Sequence, residues 1–416
     1  ALRIREADSS PSVSPVETIV VTNGTLTDDG SGQVTISTGA GAHTIRENGT
    51  GQTARTGLNF IDANAGAGLI TDDAGGDETE VNLDLYLLRS GLAAMTGDLD
   101  LDGNDVIDAR NYYPTPGGRL TLTTATPVMV SDAADQTTLY YALYKHDLVP
   151  LYDGTNWAVY RFTELSIALA ASANWAANSN FDCYIYNDAG TIRLVTGAAW
   201  TSDTARNESL TRINGMWTNT ASMTGRYAAA STVTVGANRG LYVGTIRTTA
   251  SAGTTTWEVG GEALNGDPAL LYLWNTYNRV WVGVEVRDTT NSWAYTTATW
   301  RNANGSATNR VTMIRGLDED AVVASNFPIA GNSNATAVNI AAAIGVDTAT
   351  PAGIMAFIAS ALSETKALPS SYAGFPGLGL HYIQAVEYSA ATGTTTWYGT
   401  SGTTFIQSGI AVQVIA

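Results

Sequence analysis

From position 139 onward, apolar and polar residues alternate in short runs, with turn residues between them at intervals of about ten positions. A first series comprises the runs 139–144, 157–162, 165–171, 181–186, 191–195, 241–248 and 255–259, and Asp153-Gly154 marks a hairpin between two of them. A second series follows at 270–274, 280–286, 293–300, 310–314, 381–388, 394–397 and 410–415. Short strands so spaced predict a β-sandwich of jelly-roll type. One segment departs from alternation. Thr350 stands as an N-cap, Pro351 as a first helical residue, and Ile354, Ile358, Ala361, Leu362 and Thr365 recur at helical spacing as far as Pro369. That pattern predicts one helix near the C-terminus.

Upstream of 139 the apolar pattern thins. Positions 18–36 read as a meander of short strands, with hairpin turns at Asn23-Gly24 and Asp29-Gly30. Residues 37–80 are rich in Gly, Ala, Thr and Asp, and their large apolar residues are few, chiefly Ile45, Leu58, Phe60, Ile61, Leu69 and Ile70. Burying that set does not offset the entropy of ordering the segment by itself. Further on, Asp98, Leu99, Asp100, Leu101 and Asp102 alternate, Gly103-Asn104 turns the chain, and Val106-Ile107 open a second strand. So small a hairpin is marginal alone in water, and its apolar residues Leu99, Leu101, Val106 and Ile107 need a partner. Copies of the same chain around a common axis would supply one.

The stretch GLAAMTGDLDLDGNDVIDARNYY at 91–113 resembles the repeating shaft element of tailed-bacteriophage fibres and spikes, where a Met-Thr-Gly-Asp-Leu step leads into alternating residues and a Gly-Asn turn. WNTYNRV and FPGLGLHYIQAVEYSAATGTTTWYG resemble part of a domain of uncharacterised phage structural proteins, which carries no known activity and would cover roughly 150–416. These resemblances imply an intertwined homotrimer with Leu99, Leu101, Val106 and Ile107 as the trimer-shaft core. They also imply a virion location after assembly in the host cytoplasm.

The expected fold is therefore mainly β. An extended docking arm (1–16) alternates Leu2 and Ile4 with Arg3 and Arg5 before Pro11 and Pro15, and would contact other virion proteins of the capsid, portal, collar or tail. A short-stranded acidic shaft region (17–118) ends near NYYPTPGG, and a connector (119–138) leads to β-sandwiches at 139–265 and 266–416. A repeated ending, Gly253 to Trp257 and Gly393 to Trp397, each with a Tyr fifteen positions before the Trp, leaves open whether these two are a duplication or one domain.

Charge sharpens the division. Residues 1–150 hold 8 Lys+Arg against 21 Asp+Glu, and residues 151–416 hold 13 against 17, within a net −17. An acidic surface repels phosphate, which argues against nucleic acid as a partner. Cys183, the single cysteine, sits in an alternating run and reads as a packed small hydrophobe. No signal peptide, lipidation motif or apolar run of spanning length is visible, so membrane insertion is not expected.

Catalytic motifs are sparse. There is no Gly-x-Ser-x-Gly, and His43, His146 and His381 are scattered without the spacing of a metal set. Asp98, Asp100, Asp102 and Gly103 fit the first half of a calcium loop, but the twelfth position is Ala109 instead of Glu. Asp318-Glu319-Asp320 is the densest carboxylate group, and consecutive residues rarely face one cleft. No catalytic residue, cofactor or metal site is expected. Glycan binding fits better, because exposed aromatic rings offer apolar faces to sugars. Trp157, Trp175, Trp200, Trp217, Trp293, Trp300 and Trp397 are candidates, with Asn156, Asn291 and Arg301 beside them as polar partners. The expected function is a tail or head fibre that attaches to a host-surface glycan. A capsid-decoration or collar protein without a receptor is the alternative, and a polysaccharide-degrading spike is less favoured.

Overall fold

The computed structural model describes residues 113–169, 173–362, 364–400 and 406–416, together with short stretches between positions 4 and 81. Contacts divide the chain into two units, Ala1–Gly103 and Asn104–Ala416.

In the first unit the described strands form short antiparallel pairs: Ile4–Arg5 with Ser12–Val13, Gly24–Asp28 with Val34–Thr38, Arg46–Glu47 with Thr50–Gly51, and Ile70–Asp73 with Glu78–Val81. The second pair is the hairpin its alternation predicts. Gly30 takes a φ of 73° in its turn and donates its amide to Asp28 Oδ1 at 2.9 Å, an arrangement that suits glycine. Leu26 and Ile36 stand opposite each other in register, and each remains 47% exposed. The shaft residues Leu99, Leu101, Val106 and Ile107 lie outside the described residues, as do Asp98, Asp100 and His43.

The second unit is all β apart from two 3-10 turns among the described residues, Ala173–Trp175 and Ala303–Gly305. Its largest sheet runs in the order Ala133–Gln136, Thr255–Glu258, Ala269–Leu271, Arg310–Arg315, Gly379–Tyr388, Val338–Val346, Pro351–Ser360, Ser370–Gly374, Val322–Asn326, Gly409–Ile415, Trp281–Asp288 and Glu262–Ala263. Trp281–Asp288 also contacts Arg310–Arg315, and Gly409–Ile415 contacts Gly379–Tyr388, so the two ends of this sheet face each other as sandwiched layers. Alternation explains the inner face: along Trp281–Asp288, Val284 and Val286 are buried while Trp281, Gly283 and Glu285 are exposed. A second sheet centres on Asn180–Asp188, Thr191–Ala199 and Leu241–Arg247.

A main hydrophobic core runs from Leu120 through Trp175, Tyr242 and Trp274 to Val414, and a smaller one gathers Tyr295, Ala330, Ile340, Ala342, Leu368 and Trp397. Strands on either side of position 265 share a sheet, since Trp257 pairs with Leu271. The segment expected as a connector is built in as well. Gly118–Thr121 is a buried strand paired with Thr138–Leu143, and Ala133–Gln136 pairs with Thr255–Glu258.

The expected helix is absent. Pro351–Ser360 is a strand, paired antiparallel with Val338–Val346 in the register Ile340↔Ile358 and Ala341↔Phe357. A spacing of four positions is even, so Ile354 and Ile358 satisfy a strand period as well as a helical one, and the long apolar partner strand decides between them. Gly353, at φ 71°, fits a bend against Ser370–Gly374 better than a helix interior.

Candidate functional site

Two of the sequence candidates, Arg301 and Trp293, bond one carboxylate, and Trp300 and Trp397 lie next to them on the same strand pairs. Glu387 lies on Gly379–Tyr388, and Trp300–Asn302 pairs beside it with Arg301 opposite Glu387 and Trp300 opposite Tyr388. Arg301 Nε donates to Glu387 Oε1 at 2.7 Å, and Trp293 Nε1 donates to Oε2 at 2.9 Å. The Arg301 guanidinium lies 3.8 Å from the centre of the Tyr295 ring, a cation–π contact that fixes its plane. Trp397 faces Trp293 across the pair Ser292–Tyr295 and Thr395–Tyr398. Burial pushes the Glu387 carboxyl up to about 7, outweighing the opposing pull of Arg301 and Trp293.

A cavity of about 30 Å³ adjoins Glu387 and is lined also by Trp293, Trp397, Asp288, Asn309 and Ser408. Asp288 is held below the usual carboxylate range: burial pushes it up, but donation from Asn309, Thr290 and Asn304 prevails. Two neighbouring carboxyls displaced in opposite directions are an arrangement that acid–base enzymes use. Here the volume corresponds to about two water molecules, far below the roughly 300 Å³ at which small-ligand pockets begin. Both Glu387 oxygens are also engaged. The described lining seats no sugar ring, and the cluster acts as a polar rivet between sheets.

Of the seven tryptophan candidates, Trp157, Trp175, Trp200 and Trp397 are buried. Trp397 is 1% exposed and Trp157 is 7% exposed, so neither presents a ring face to a glycan, contrary to expectation. Trp157 instead packs against Tyr152 and Tyr113, with ring centroids 5.3 and 5.8 Å away. Trp175 donates Nε1 to Thr196 Oγ1 within the core, and Trp200 is covered by Arg206. Large aromatic rings bury the most area per residue, which explains this outcome. Trp293, Trp300, Trp217 and Arg301 are half-buried, and Asn156 and Asn291 are exposed on turns. The broadly exposed indole is Trp281, whose place on the outer face of an alternating WVGVEV run was available in the sequence.

Other groups that could carry chemistry are structurally committed. Glu319 pairs with Arg212 at 2.5 Å and with Arg279 at 3.4 Å, and Asp320 pairs with Arg279. His381 Nδ1 meets Asp347 Oδ2 at 2.7 Å. Cys183 is fully buried, and burial raises its thiol well above the ordinary range. Among the described residues no group of His, Cys, Asp and Glu is arranged to hold a metal ion. No helix among them is long and apolar enough to cross a membrane.

A different cleft has the dimensions of a ligand site. It measures about 400 Å³ and lies between the turn after Leu148–Tyr152 and the turn after Asn180–Asp188. Tyr152, Tyr160 and Tyr186 line it, half-buried, and each packs on the core behind. Asp153, Asn187, Asp188 and Arg239 supply its polar rim. Sequence reading placed the Asp153-Gly154 hairpin but did not pick out these tyrosines, which only the juxtaposition of two separate turns brings together.

No family model matches the chain, and no curated protein matches it. Among solved structures, it is similar to the structure of infectious bursal disease virus Gx strain at 8% identity over 68% of this chain and 75% of that one, with a TM-score of 0.18. It is also similar to an exo-β-1,3-galactanase from Phanerochaete chrysosporium crystallised with galactose, at 9% identity over 67% and 78%, with a TM-score of 0.14. Identities and scores at this level transfer neither role to the chain.

Proposed function

We propose that the chain is a non-enzymatic structural protein of a bacteriophage virion: a homotrimeric tail or head fibre. Its N-terminal arm docks to other virion proteins, and its C-terminal β unit projects outward to meet a host-surface glycan. The observation that carries this reading is uncovered apolar surface in both units. In the first, Leu26 and Ile36 form a half-exposed pair in a hairpin too small to stand alone. In the second, Ile354 and Phe357 on Pro351–Ser360 are 74% and 63% exposed, with Phe375, Phe327 and Trp281 also open. Leu26 and Ile36 share one hairpin and Ile354 and Phe357 one strand, and contiguous apolar surface is what marks association sites.

The shaft-like sequence at 91–113 supports the same reading, because Leu99 and Leu101 alternate with Asp and, in a strand, would need sister chains to cover them. Three equivalent chains would present three glycan sites at high effective concentration, so weak single contacts would add up to firm attachment. Negative-stain imaging of the purified full chain tests the proposal. Elongated particles with a thin stalk and a bulky end are expected. Compact particles without a stalk would favour a decoration protein that lies flat on a capsid.

A further inference from the structure

We infer that the cleft formed by Tyr152, Tyr160 and Tyr186 binds a short uncharged saccharide. The inference rests on the glycan-attachment reading above and gives that attachment a place other than the tryptophans the sequence suggests.

The cleft is built on rigid supports. Leu148–Tyr152 and Trp157–Arg161 form a hairpin with Tyr152 opposite Trp157, and Asp153 Oδ1 accepts from the Thr155 and Asn156 amides at 2.7 Å each, fixing the turn. On the other side Asp188 pairs with Thr191 across the two-residue turn Ala189-Gly190, whose φ values of 49° and 98° are those of a tight hairpin turn. Asn187 Oδ1 accepts from the Gly190 amide at 2.7 Å. Arg239 reaches the rim beside Gly154, where a Cβ would come within 3.3 Å of its Nε.

The chemistry of the lining selects the ligand class. Tyrosine offers an apolar ring face together with a hydroxyl that donates and accepts, which suits the C–H faces and hydroxyls of a pyranose. Among the described residues the Arg239 guanidinium makes no side-chain hydrogen bond or ion pair, so its donors remain for a ligand, as do the Asn187 amide donors. One Asp188 oxygen is taken by Arg193 Nε at 2.7 Å, and Asp153 keeps one oxygen clear of its turn. Two lining carboxylates against one lining guanidinium, Arg239, leave no excess positive charge, so the cleft has no means of favouring phosphate or an acidic sugar. Its polar rim equally disfavours a lipid chain. The volume of about 400 Å³ lies within the range of small-ligand pockets, roughly 300–1,000 Å³.

The test is an array of bacterial surface oligosaccharides, neutral and acidic, probed with the full chain, followed by titration of the strongest neutral hit. Arg239→Ala removes an exposed side chain, and Tyr160→Ala removes a ring face. Each is expected to weaken binding about tenfold, with an unchanged circular dichroism spectrum, whereas Trp281→Ala, on a different surface, is expected to leave binding unchanged. Three results would overturn the inference: no neutral saccharide bound, only acidic ones bound, or binding unaffected by both cleft variants. Solution mass, measured on the same samples, reads the fibre proposal separately: a trimer that ignores sugars rejects the cleft alone.

Discussion

Glu387 combines nearly complete burial with an Arg301 partner that remains partly open to solvent. Its carboxyl is pushed from an ordinary 4.5 to about 7. Between those values the folded state holds a proton that the unfolded state has released, so this residue's stabilisation is fully present below the lower value and is lost as pH rises through the upper one. Across that window the loss amounts to about 3 kcal/mol. Most carboxylates slope the other way, so the test is a comparison: chemical unfolding of the parent and of Glu387→Gln from pH 4 to pH 8. The parent is expected to lose about 3 kcal/mol relative to the variant over that range, and parallel curves would show that Glu387 titrates like a surface carboxylate. At this scale the sequence was legible only in part. It names Trp293 and Arg301, which do meet, but not the glutamate they meet on, because a lone Glu in a strand carries no sign of what lies opposite.

Strands proved far more readable. The run 310–314 becomes Arg310–Arg315, 410–415 becomes Gly409–Ile415, and 181–186 becomes Asn180–Asp188: Gly409–Ile415 buries alternate residues and so keeps a period of two, while the other two are buried on both faces and show through their β-branched and aromatic residues. Val338–Val346 was missed because its residues, mostly Ala and Ile, are apolar on both faces and show no period. Its partner Pro351–Ser360 carries residues at helical spacing that the ladder with Val338–Val346 overrules. The two interpretations of that partner predict opposite signs. In a helix Gly353→Ala would stabilise by about 1 kcal/mol. In the strand, where Gly353 has a φ of 71° and a Cβ would meet Ser371 O at 2.5 Å, the same change is expected to destabilise by more than about 1 kcal/mol, read from the urea midpoint. The repeated Gly-Thr-Thr-Thr-Trp ending also has a structural counterpart. Gly253 and Gly393 take φ values of 74° and 72°, the strands Thr255–Glu258 and Thr395–Tyr398 start two residues later, and both Trp side chains are buried. The two strands nevertheless join different sheets, so the resemblance is at least one of local turn geometry.

Over the whole molecule, acidity is concentrated before position 150, while most of the described apolar core lies after it. The mainly β character was legible because strand periods dominate the second half. The extent of the second unit was not, because Leu120 and Ala133 join its core from a segment whose turn residues suggest a linker. Uncovered apolar residues bear on assembly. Replacing Ile354 and Phe357 together by Asp removes exposed side chains, so the fold is expected to persist while association weakens, seen as a lower sedimentation coefficient at equal concentration. An unchanged coefficient would show that this strand lies outside the interface. The most direct test of the fibre account is the solution mass of the intact chain by light scattering coupled to size exclusion. The account predicts three times the chain mass of 43.6 kDa, with a retention volume too early for a globular particle of that mass. A single chain mass at micromolar concentration would contradict it.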